Sequence, residues 1–258
     1  MTSKTLDPKL RGDALLEALE SGEMRAASPS PNGWVVHAEV KAAILDLFRE
    51  HDIVDMPGGF RDKAPLRVRT FDEASRVRLV PGGSAVRRGA HLGHGVVCMP
   101  PMYVNIGAFV GEGSMIDSHA LVGTCAQIGA GVHLSAAAQI GGVLEPAGAS
   151  PVIVEDGAFI GGGTGVYEGV RVGARAVLAA GVILTATTPV FDLMNERELR
   201  GTSDEPLVIP PDAVVVPGTR PAGGDFARER GLSLSCAVIV KYRDARTDAA
   251  TALEDALR

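Results

Sequence analysis

Branched aliphatic residues recur at every sixth position through the middle of the chain. Stepping by six, this position holds Val80, Val86, Leu92, Cys98, Val104, Val110, Ile116, Val122, Ile128, Leu134 and Ile140. After an interruption that contains Pro146 and Pro151, the step resumes two residues out of phase as Val154, Ile160, Val166, Val172, Leu178 and Leu184. An amphipathic helix would repeat at three and four residues and a half-buried strand at two. A short fixed period indicates a repeat architecture instead.

The residues around each aliphatic follow the same period. The next residue is often Gly, as in Gly111 and Gly129, and four residues after the aliphatic comes a small side chain such as Ala108 or Ala126. One aliphatic would point inward from each flat side of a triangular prism, with three hexads to a coil. We expect the glycines to provide backbone angles that a Cβ would penalise. The pattern predicts a mainly β fold, a left-handed parallel β-helix of hexapeptide repeats over residues 79–188.

The flanking segments have helical or irregular patterns. Two helical stripes precede the repeat: Leu10, Ala14, Leu15, Ala18 and Leu19, ended by Gly22, and, after Trp34, Val36, Val40, Ala43, Ile44 and Leu47. They predict a small α-helical N-terminal domain which, with a charged connector over 60–78, occupies residues 1–78.

Residues 189–258 are predicted to cap the solenoid. The polar segment 189–206 is predicted to be a loop, 207–218 and 232–242 to be strands, and Asp248–Arg258 to be a short helix capped by Thr247.

Composition narrows the class of partner. The 258 residues carry a formal net charge of -6, which argues against a nucleic-acid or anionic membrane partner. The three cysteines show no CxxC spacing, so neither a zinc site nor a disulfide framework is predicted. No export signal or membrane-spanning run is present, and we expect a cytoplasmic protein that acts on small molecules.

A β-helix alone does not establish an activity. Flat sides favour association of three copies about a threefold axis, and the grooves between copies would suit a long thin ligand such as coenzyme A. N-acyl transfer needs a group to orient or deprotonate an amine and donors for the oxyanion. Carboxylates and histidines outside the core are the candidates: Glu112, Asp117, His119, His133, Glu145 and Glu168. Each also has a structural interpretation, as a turn residue, a cap or a subunit contact.

Longer segments resemble one family. YVNIGAFVGEGSMIDSHALVGTCAQIGAGVHLS, IGGVLEP, VIVEDGAFIG, CAVIVK and the N-terminal GWVVHAEVKAAILDLFR are similar to the tetrahydrodipicolinate N-succinyltransferase family. The resemblance implies a homotrimer that binds succinyl-CoA between subunits. It also implies transfer of the succinyl group to the amino group of an α-amino dicarboxylate on the route to diaminopimelate and lysine, with no metal.

The resemblance also implies site residues. The family's catalytic aspartate corresponds to Asp117 in GSMID, and Glu168 matches a retained glutamate. Near these motifs, Asn105, Ser118 and Ser135 are expected to contact the substrate. Lys241 in the C-terminal segment is expected to contact a phosphate of CoA.

The chain departs from the family pattern at several positions. Gly163 and Gly165 replace an arginine and the catalytic glutamate of the usual G-A-R-S-E-V-V-E-G segment, Pro189 replaces a lysine, and Ala136–Gln139 replaces a glycine run. Losing two bulky charged side chains should enlarge the site and change its charge.

Three alternatives therefore stay open. The first is an acetyl-CoA-dependent acyltransferase of a specialised pathway with a tabtoxin-like precursor. The second is a non-catalytic β-helix that serves as a regulatory or scaffolding subunit. The third is a carbonic-anhydrase-like β-helix, for which His119 and His133 offer no metal-binding triad.

Overall fold

The N-terminal region contains two helices and two β-hairpins. The computed structural model of the protein describes residues 10–202 and 205–246. The first elements are α1 Gly12–Ser21, β1 Ala27–Ser30, β2 Gly33–Val36, α2 Ala38–Glu50, β3 Ile53–Met56 and β4 Phe60–Lys63. The predicted helices are confirmed, and α1 ends at Gly22 in the left-handed region (φ 78°). Neither hairpin was predicted, and Val36 lies in β2 rather than on the second helix.

Short parallel strands then wind into coils. After a 3₁₀ turn at Glu73–Ser75 come β5 Arg78–Leu79, β6 Ala85–Val86, β7 His91–Leu92, β8 Val97–Cys98, β9 Tyr103–Val104, β10 Phe109–Val110, β11 Met115–Ile116, β12 Leu121–Val122, β13 Gln127–Ile128, β14 His133–Leu134, β15 Gln139–Ile140, β16 Ile153–Val154, β17 Phe159–Ile160, β18 Gly165–Val166, β19 Arg171–Val172, β20 Val177–Leu178 and β21 Ile183–Leu184.

The C-terminal region closes the end of the solenoid. Its elements are β22 Val190–Asp192, β23 Arg197–Leu199, β24 Val208–Ile209, β25 Ala213–Pro221, α3 Asp225–Glu229 and β26 Ser233–Tyr242. The strand predicted over 232–242 is confirmed as β26, whereas the one predicted over 207–218 is wrong in part, because residues 210–212 divide it into β24 and β25, which pair with different strands. The prediction of a loop over 189–206 is wrong in part, because β22 and β23 form a hairpin whose first strand also pairs with β26. The helix expected over Asp248–Arg258, with its Thr247 cap, lies outside the described residues.

Three parallel sheets form the sides of the prism. Side one contains β5, β8, β11, β14, β17, β20 and β25, side two contains β6, β9, β12, β15, β18 and β21, and side three contains β7, β10, β13, β16, β19 and β24. Strand partners on successive coils stand 18 residues apart, as Phe109 and Gln127 do, so three hexads make one coil. The left-handed parallel β-helix of hexapeptide repeats is confirmed. We call the turn from side one to side two corner A, and the turn from side two to side three corner B.

The predicted aliphatic column fills the interior. Residues such as Val104, Ile116 and Ile160 have no exposed surface, and burying each contributes about 1.5–3 kcal/mol. The register fails only at its start, where Leu79 rather than Val80 pairs with Cys98 and packs against the core. The step from Leu79 to Val86 is seven residues rather than six, and the Pro81–Gly83 turn holds the extra one.

The role expected for the glycine after each aliphatic needs correction. At Gly123 an added Cβ would stand 2.2 Å from the backbone N of Gly142, so glycine is required there by close contact between coils. The left-handed backbone falls two residues later in the hexad, as at Gly131 with φ 63°. Coil packing, rather than backbone angle, explains the first glycine.

The N-terminal domain packs on corner B. Its core of Leu15, Leu19, Ile44 and Leu47 is completed by Ile106 and Cys125 from that corner. Corner B also carries an insertion, because residues 141–152 connect β15 to β16 where four residues, 123–126, serve the preceding coil. We call residues 141–152 the corner loop. Within the described residues, no helix is long and apolar enough to cross a membrane.

Candidate active site

Corner A brings together three of the predicted site residues. Asp117 and Ser118 follow β11 directly, and Ser135 occupies the same position as Asp117 one coil later. Neighbouring coils are separated by about 4.8 Å, so these side chains form one polar column. The half-buried carboxylate of Asp117 accepts a hydrogen bond from Ser118 N at 2.7 Å through Oδ1. The hydrogen bond from the next residue in the turn therefore holds the Asp117 carboxylate at corner A, on the edge of side two.

Corner B carries Asn105 and Glu168, but it does not bring them together. They stand three coils apart, which is roughly 14 Å along the axis at the usual strand spacing. Asn105 Oδ1 accepts hydrogen bonds from Ile106 N at 2.9 Å and from Arg87 Nη1 at 3.2 Å. Arg87 in turn pairs with Asp62 of β4. The contacts of Asn105 therefore tie the β-helix to the N-terminal domain.

Glu168 stands on the rim of a cavity. Its backbone is left-handed (φ 54°), which turns the exposed side chain away from the coil, and its Oε2 accepts a hydrogen bond from Ala186 N at 3.0 Å. The cavity, of about 890 Å³, lies between the corner loop and the segment after β21. It is lined by Gly141, Gly142, Val143, Glu145, Pro146, Gly148, Ala149, Ser150, Tyr167, Glu168, Thr185, Ala186, Thr202, Glu205 and Pro206.

Tyr167 covers the floor of this cavity. A Cβ added to Gly165 would stand 2.4 Å from Tyr167 Cε2, and one added to Gly141 would stand 2.8 Å from Tyr167 Cδ1. The tyrosine ring therefore lies flat across two glycines of successive coils. The space beside Gly165 is filled by this ring. By contrast, a Cβ on Gly163 would meet nothing within 4 Å, so that position stays open.

The importance of Tyr167 was not predicted. It follows the aliphatic Val166 at a position where the two preceding coils have Gly141 and Gly123. The large ring in place of a glycine indicates an unusual position in the repeat. The hexad pattern alone does not show in which direction the ring points. The corner loop was recognised only as an interruption.

Lys241 lies away from both corners. It is on β26, opposite Val214 of β25, and its Nζ stands 3.2 Å from each carboxylate oxygen of Asp244. The side chain is partly exposed and carries its own counter-ion. The structure therefore separates the predicted residues into a corner A column, two corner B positions and one C-terminal cation.

A second cavity, of about 790 Å³, lies between the β1–β2 hairpin and side three. Its polar groups bond one another: Trp34 Nε1 donates to Glu155 at 2.9 Å, and the guanidinium of Arg25 stacks 3.6 Å from the ring centre of Phe109. Burial lowers the pKa of Arg25 to about 10, so it stays charged at neutral pH. These contacts hold the hairpin on the β-helix.

Nucleophilic thiol chemistry has no support. Cys98, Cys125 and Cys236 are buried and unpaired. Burial raises the pKa of the Cys98 and Cys125 thiols to about 12, so both are protonated at neutral pH. In the part of the chain that the structure describes, no group of three or more His, Cys, Asp or Glu could hold a metal ion.

Comparison with known proteins covers both domains. Residues 11–49 match the profile described as the tetrahydrodipicolinate N-succinyltransferase N-terminal region, and residues 151–186 match the hexapeptide repeat of succinyl-transferase. Three relatives carry the name 2,3,4,5-tetrahydropyridine-2,6-dicarboxylate N-succinyltransferase. The protein of Xylella fastidiosa (strain Temecula1) is 44% identical over 252 residues, covering 95% of this chain and 86% of its own. That of Idiomarina loihiensis is 42% identical (95% and 87% covered), and that of Nitrobacter winogradskyi is 41% identical (99% and 94% covered).

Identity above 40% over nearly the whole chain decides the family. The chain belongs to the tetrahydrodipicolinate N-succinyltransferase family. The resemblance inferred from the sequence is thereby confirmed. This member of the family has Asp117 at corner A, Gly163 and Gly165 next to Thr164, and a tyrosine ring at residue 167.

Proposed function

We propose that the protein is a CoA-dependent N-acyltransferase that succinylates the amino group of tetrahydrodipicolinate or a closely related α-amino dicarboxylate. The observation that carries this proposal is the similarity to N-succinyltransferases over 95% of the chain, which includes both corners. The co-substrate is an acyl-CoA thioester, and the enzyme acts in the cytoplasm in the biosynthesis of diaminopimelate and lysine.

We assign one role in the acyl transfer to each of the groups at corner A. Water first adds to the carbon–nitrogen double bond of tetrahydrodipicolinate and opens the ring, which frees the amine. The neutral amine then attacks the thioester carbonyl carbon, and Asp117 takes the proton that the nitrogen loses. A backbone N–H at the corner stabilises the oxyanion of the tetrahedral intermediate. Collapse of that intermediate breaks the carbon–sulfur bond and releases CoA thiolate, which is protonated as Asp117 is regenerated. Ser118 and Ser135 contact the acceptor beside Asp117.

A homotrimer accounts for the distribution of these residues. Asp117 and Glu168 lie at opposite edges of side two, so one chain does not present both to one ligand. A second copy packed against a flat side would bring corner A of one chain towards corner B of the next. CoA then lies along the groove between copies, with Lys241 near a phosphate. Light scattering should give three chain masses in solution.

A second candidate is transfer of an acetyl group to a related acceptor. It is favoured by Gly163 and Gly165, which remove an arginine and a glutamate from the family pattern, and by the neutral ring of Tyr167 in that space. A smaller, uncharged acyl group needs no arginine partner.

Calorimetry with CoA and initial rates of thiol release with each donor test the proposal. We expect CoA to bind and succinyl-CoA to be used faster than acetyl-CoA with 2-aminopimelate as acceptor. Faster use of acetyl-CoA would favour the second candidate, and the absence of CoA binding would overturn both.

A further inference from the structure

Lys41 is a lysine with no exposed surface. It lies on α2 among Val40, Ala43 and Ile44 in the core of the N-terminal domain. Lysine is almost never fully buried unless its ammonium has partners. Burial lowers the pKa of Lys41, and the nearby Cys125 opposes this change. Burying an ammonium group costs free energy unless it is hydrogen-bonded. The acceptors of its hydrogen bonds therefore show which part of the structure the lysine stabilises.

Those hydrogen bonds reach the corner loop across the domain boundary. Lys41 Nζ donates to Ala149 O at 2.7 Å and to Pro146 O at 3.3 Å. Pro146 O also accepts a hydrogen bond from Ala149 N at 2.9 Å, so the lysine binds the two carbonyls of one tight turn. Hydrogen bonds from a charged donor are about twice as strong as neutral ones.

The corner loop separates the N-terminal domain from the cavity at corner B. On one side Leu144 packs against the N-terminal core, and Glu145 stands 3.9 Å from Arg49. On the other side Pro146 and Ala149 line the cavity. The segment 146–151 is made of Pro, Ala, Gly and Ser, which offer few apolar anchors. Its position therefore depends on polar contacts, and Lys41 supplies the charged one.

We infer that Lys41 is a positioning residue for the corner B cavity. It holds the loop wall that faces Asp117 of the next copy in the proposed trimer, and the amino acceptor is bound against this wall. The assignment of the acceptor rests on the proposed function, whereas the ordering of the loop does not. The proposed chemistry of the transfer remains with Asp117, since Lys41 faces the loop carbonyls and not the cavity.

The test compares Lys41→Met with Leu16→Ala. Methionine keeps the volume and removes the donor. Leu16 is a buried residue of α1 that packs near Gly89, three coils from the corner loop, so its truncation weakens the same domain elsewhere. Amide hydrogen exchange over residues 143–150 should be faster by about tenfold or more in Lys41→Met and close to wild type in Leu16→Ala. If Lys41→Met does not fold, Lys41→Leu, which also lacks a donor, is measured with the same expectation.

Steady-state kinetics then separate positioning from general loss of stability. In Lys41→Met the KM for the acceptor should rise roughly tenfold with kcat within about threefold of wild type, while Leu16→Ala changes neither. The inference would be overturned if amide hydrogen exchange of the corner loop were unchanged in Lys41→Met, or if it were equal in both variants. A rise in the KM for the donor alone would overturn the acceptor assignment. If the wild type transfers no acyl group, the proposed function fails while the exchange result still decides the role of Lys41.

Discussion

The ring of Tyr167 lies so close to the backbone of Gly165 that a Cβ on Gly165 would stand 2.4 Å from Tyr167 Cε2 and 2.9 Å from the tyrosine oxygen. These two residues therefore depend on each other. The glycine makes room for the ring, and the ring fills the room that a side chain at residue 165 would take. The space next to residue 165 is therefore occupied by an aromatic ring and is not an empty pocket.

Gly165→Ala should displace the ring of Tyr167 rather than unfold the coil, because the clashing atoms belong to the far end of a side chain. A double-mutant cycle with Tyr167→Val, measured by urea unfolding, should give a coupling energy of roughly 0.5–3 kcal/mol. Gly223→Ala is a control, since its Cβ would meet nothing within 4 Å and its backbone is not left-handed. Additive effects of Gly165→Ala and Tyr167→Val would contradict the coupling.

The same contact predicts how the family's usual residues could be restored. Gly165→Glu alone places the new side chain against the tyrosine ring, whereas Gly165→Glu with Tyr167→Val recreates the E-V-V-E segment without the clash. We expect the double variant to succinylate tetrahydrodipicolinate at least about tenfold faster than Gly165→Glu, because the carboxylate can then reach the cavity. Equal rates for the two variants would show that the ring does not limit access.

Asp117→Asn should lower kcat by about 10²–10⁴ with little change in Tm. Asparagine keeps an oxygen to accept the hydrogen bond from Ser118 N and removes only the charge. Ser135→Ala, one coil away, serves as the control for a change in the polar column. A decrease of less than about tenfold in Asp117→Asn would remove this carboxylate from the proton transfer.

Asp192 of β22 links the β22–β23 hairpin to Tyr242 of β26. Burial alone would raise its pKa, but hydrogen bonds from Asn195, Tyr242 and Arg197 outweigh that effect and hold the pKa below its ordinary value. A carboxyl group whose pKa is lower in the folded state contributes stability above its unfolded pKa of about 3.9, and this is lost as the pH falls through the folded pKa.

Asp192→Asn should therefore lower the free energy of unfolding at pH 7 by roughly 1–3 kcal/mol and reduce the further loss in acid. Urea unfolding at pH 7 and at pH values below about 4 measures both effects. Asp225→Asn is the comparison, because Asp225 is exposed and pairs only with Arg228 of its own helix in the described structure. The same acid dependence in Asp192→Asn and wild type would exclude Asp192 as the cause.

The sequence allowed the coils to be predicted because every coil must bury one aliphatic residue per side, and that requirement is local and periodic. It failed at Val80, where the first coil has no earlier coil to fix its register. The hairpins were missed for another reason. They are short, and distant partners hold them, as Glu155 holds Trp34 and Tyr242 holds Asp192. Tertiary contacts of this kind leave no periodic pattern.

The candidate site, like the fold, could be predicted from the sequence only in part. Asp117 could be found because it interrupts an apolar repeat with a carboxylate in a recognisable motif. The cavity at corner B could not, since it depends on an insertion of irregular length and on a buried lysine from another domain. Lys41 lies on the apolar face of α2, where the hydrophobic stripe predicts only core packing.

Mass spectrometry of the reaction product tests the central claim most directly. The protein is mixed with succinyl-CoA and tetrahydrodipicolinate, and both the acceptor and free CoA are followed with time. We predict that the acceptor gains one succinyl group and the one water that opens its ring for each CoA released, and that Asp117→Asn slows both processes equally. An acceptor that stays unmodified, or CoA release that is the same without acceptor, would contradict the assignment of this chain as an N-succinyltransferase.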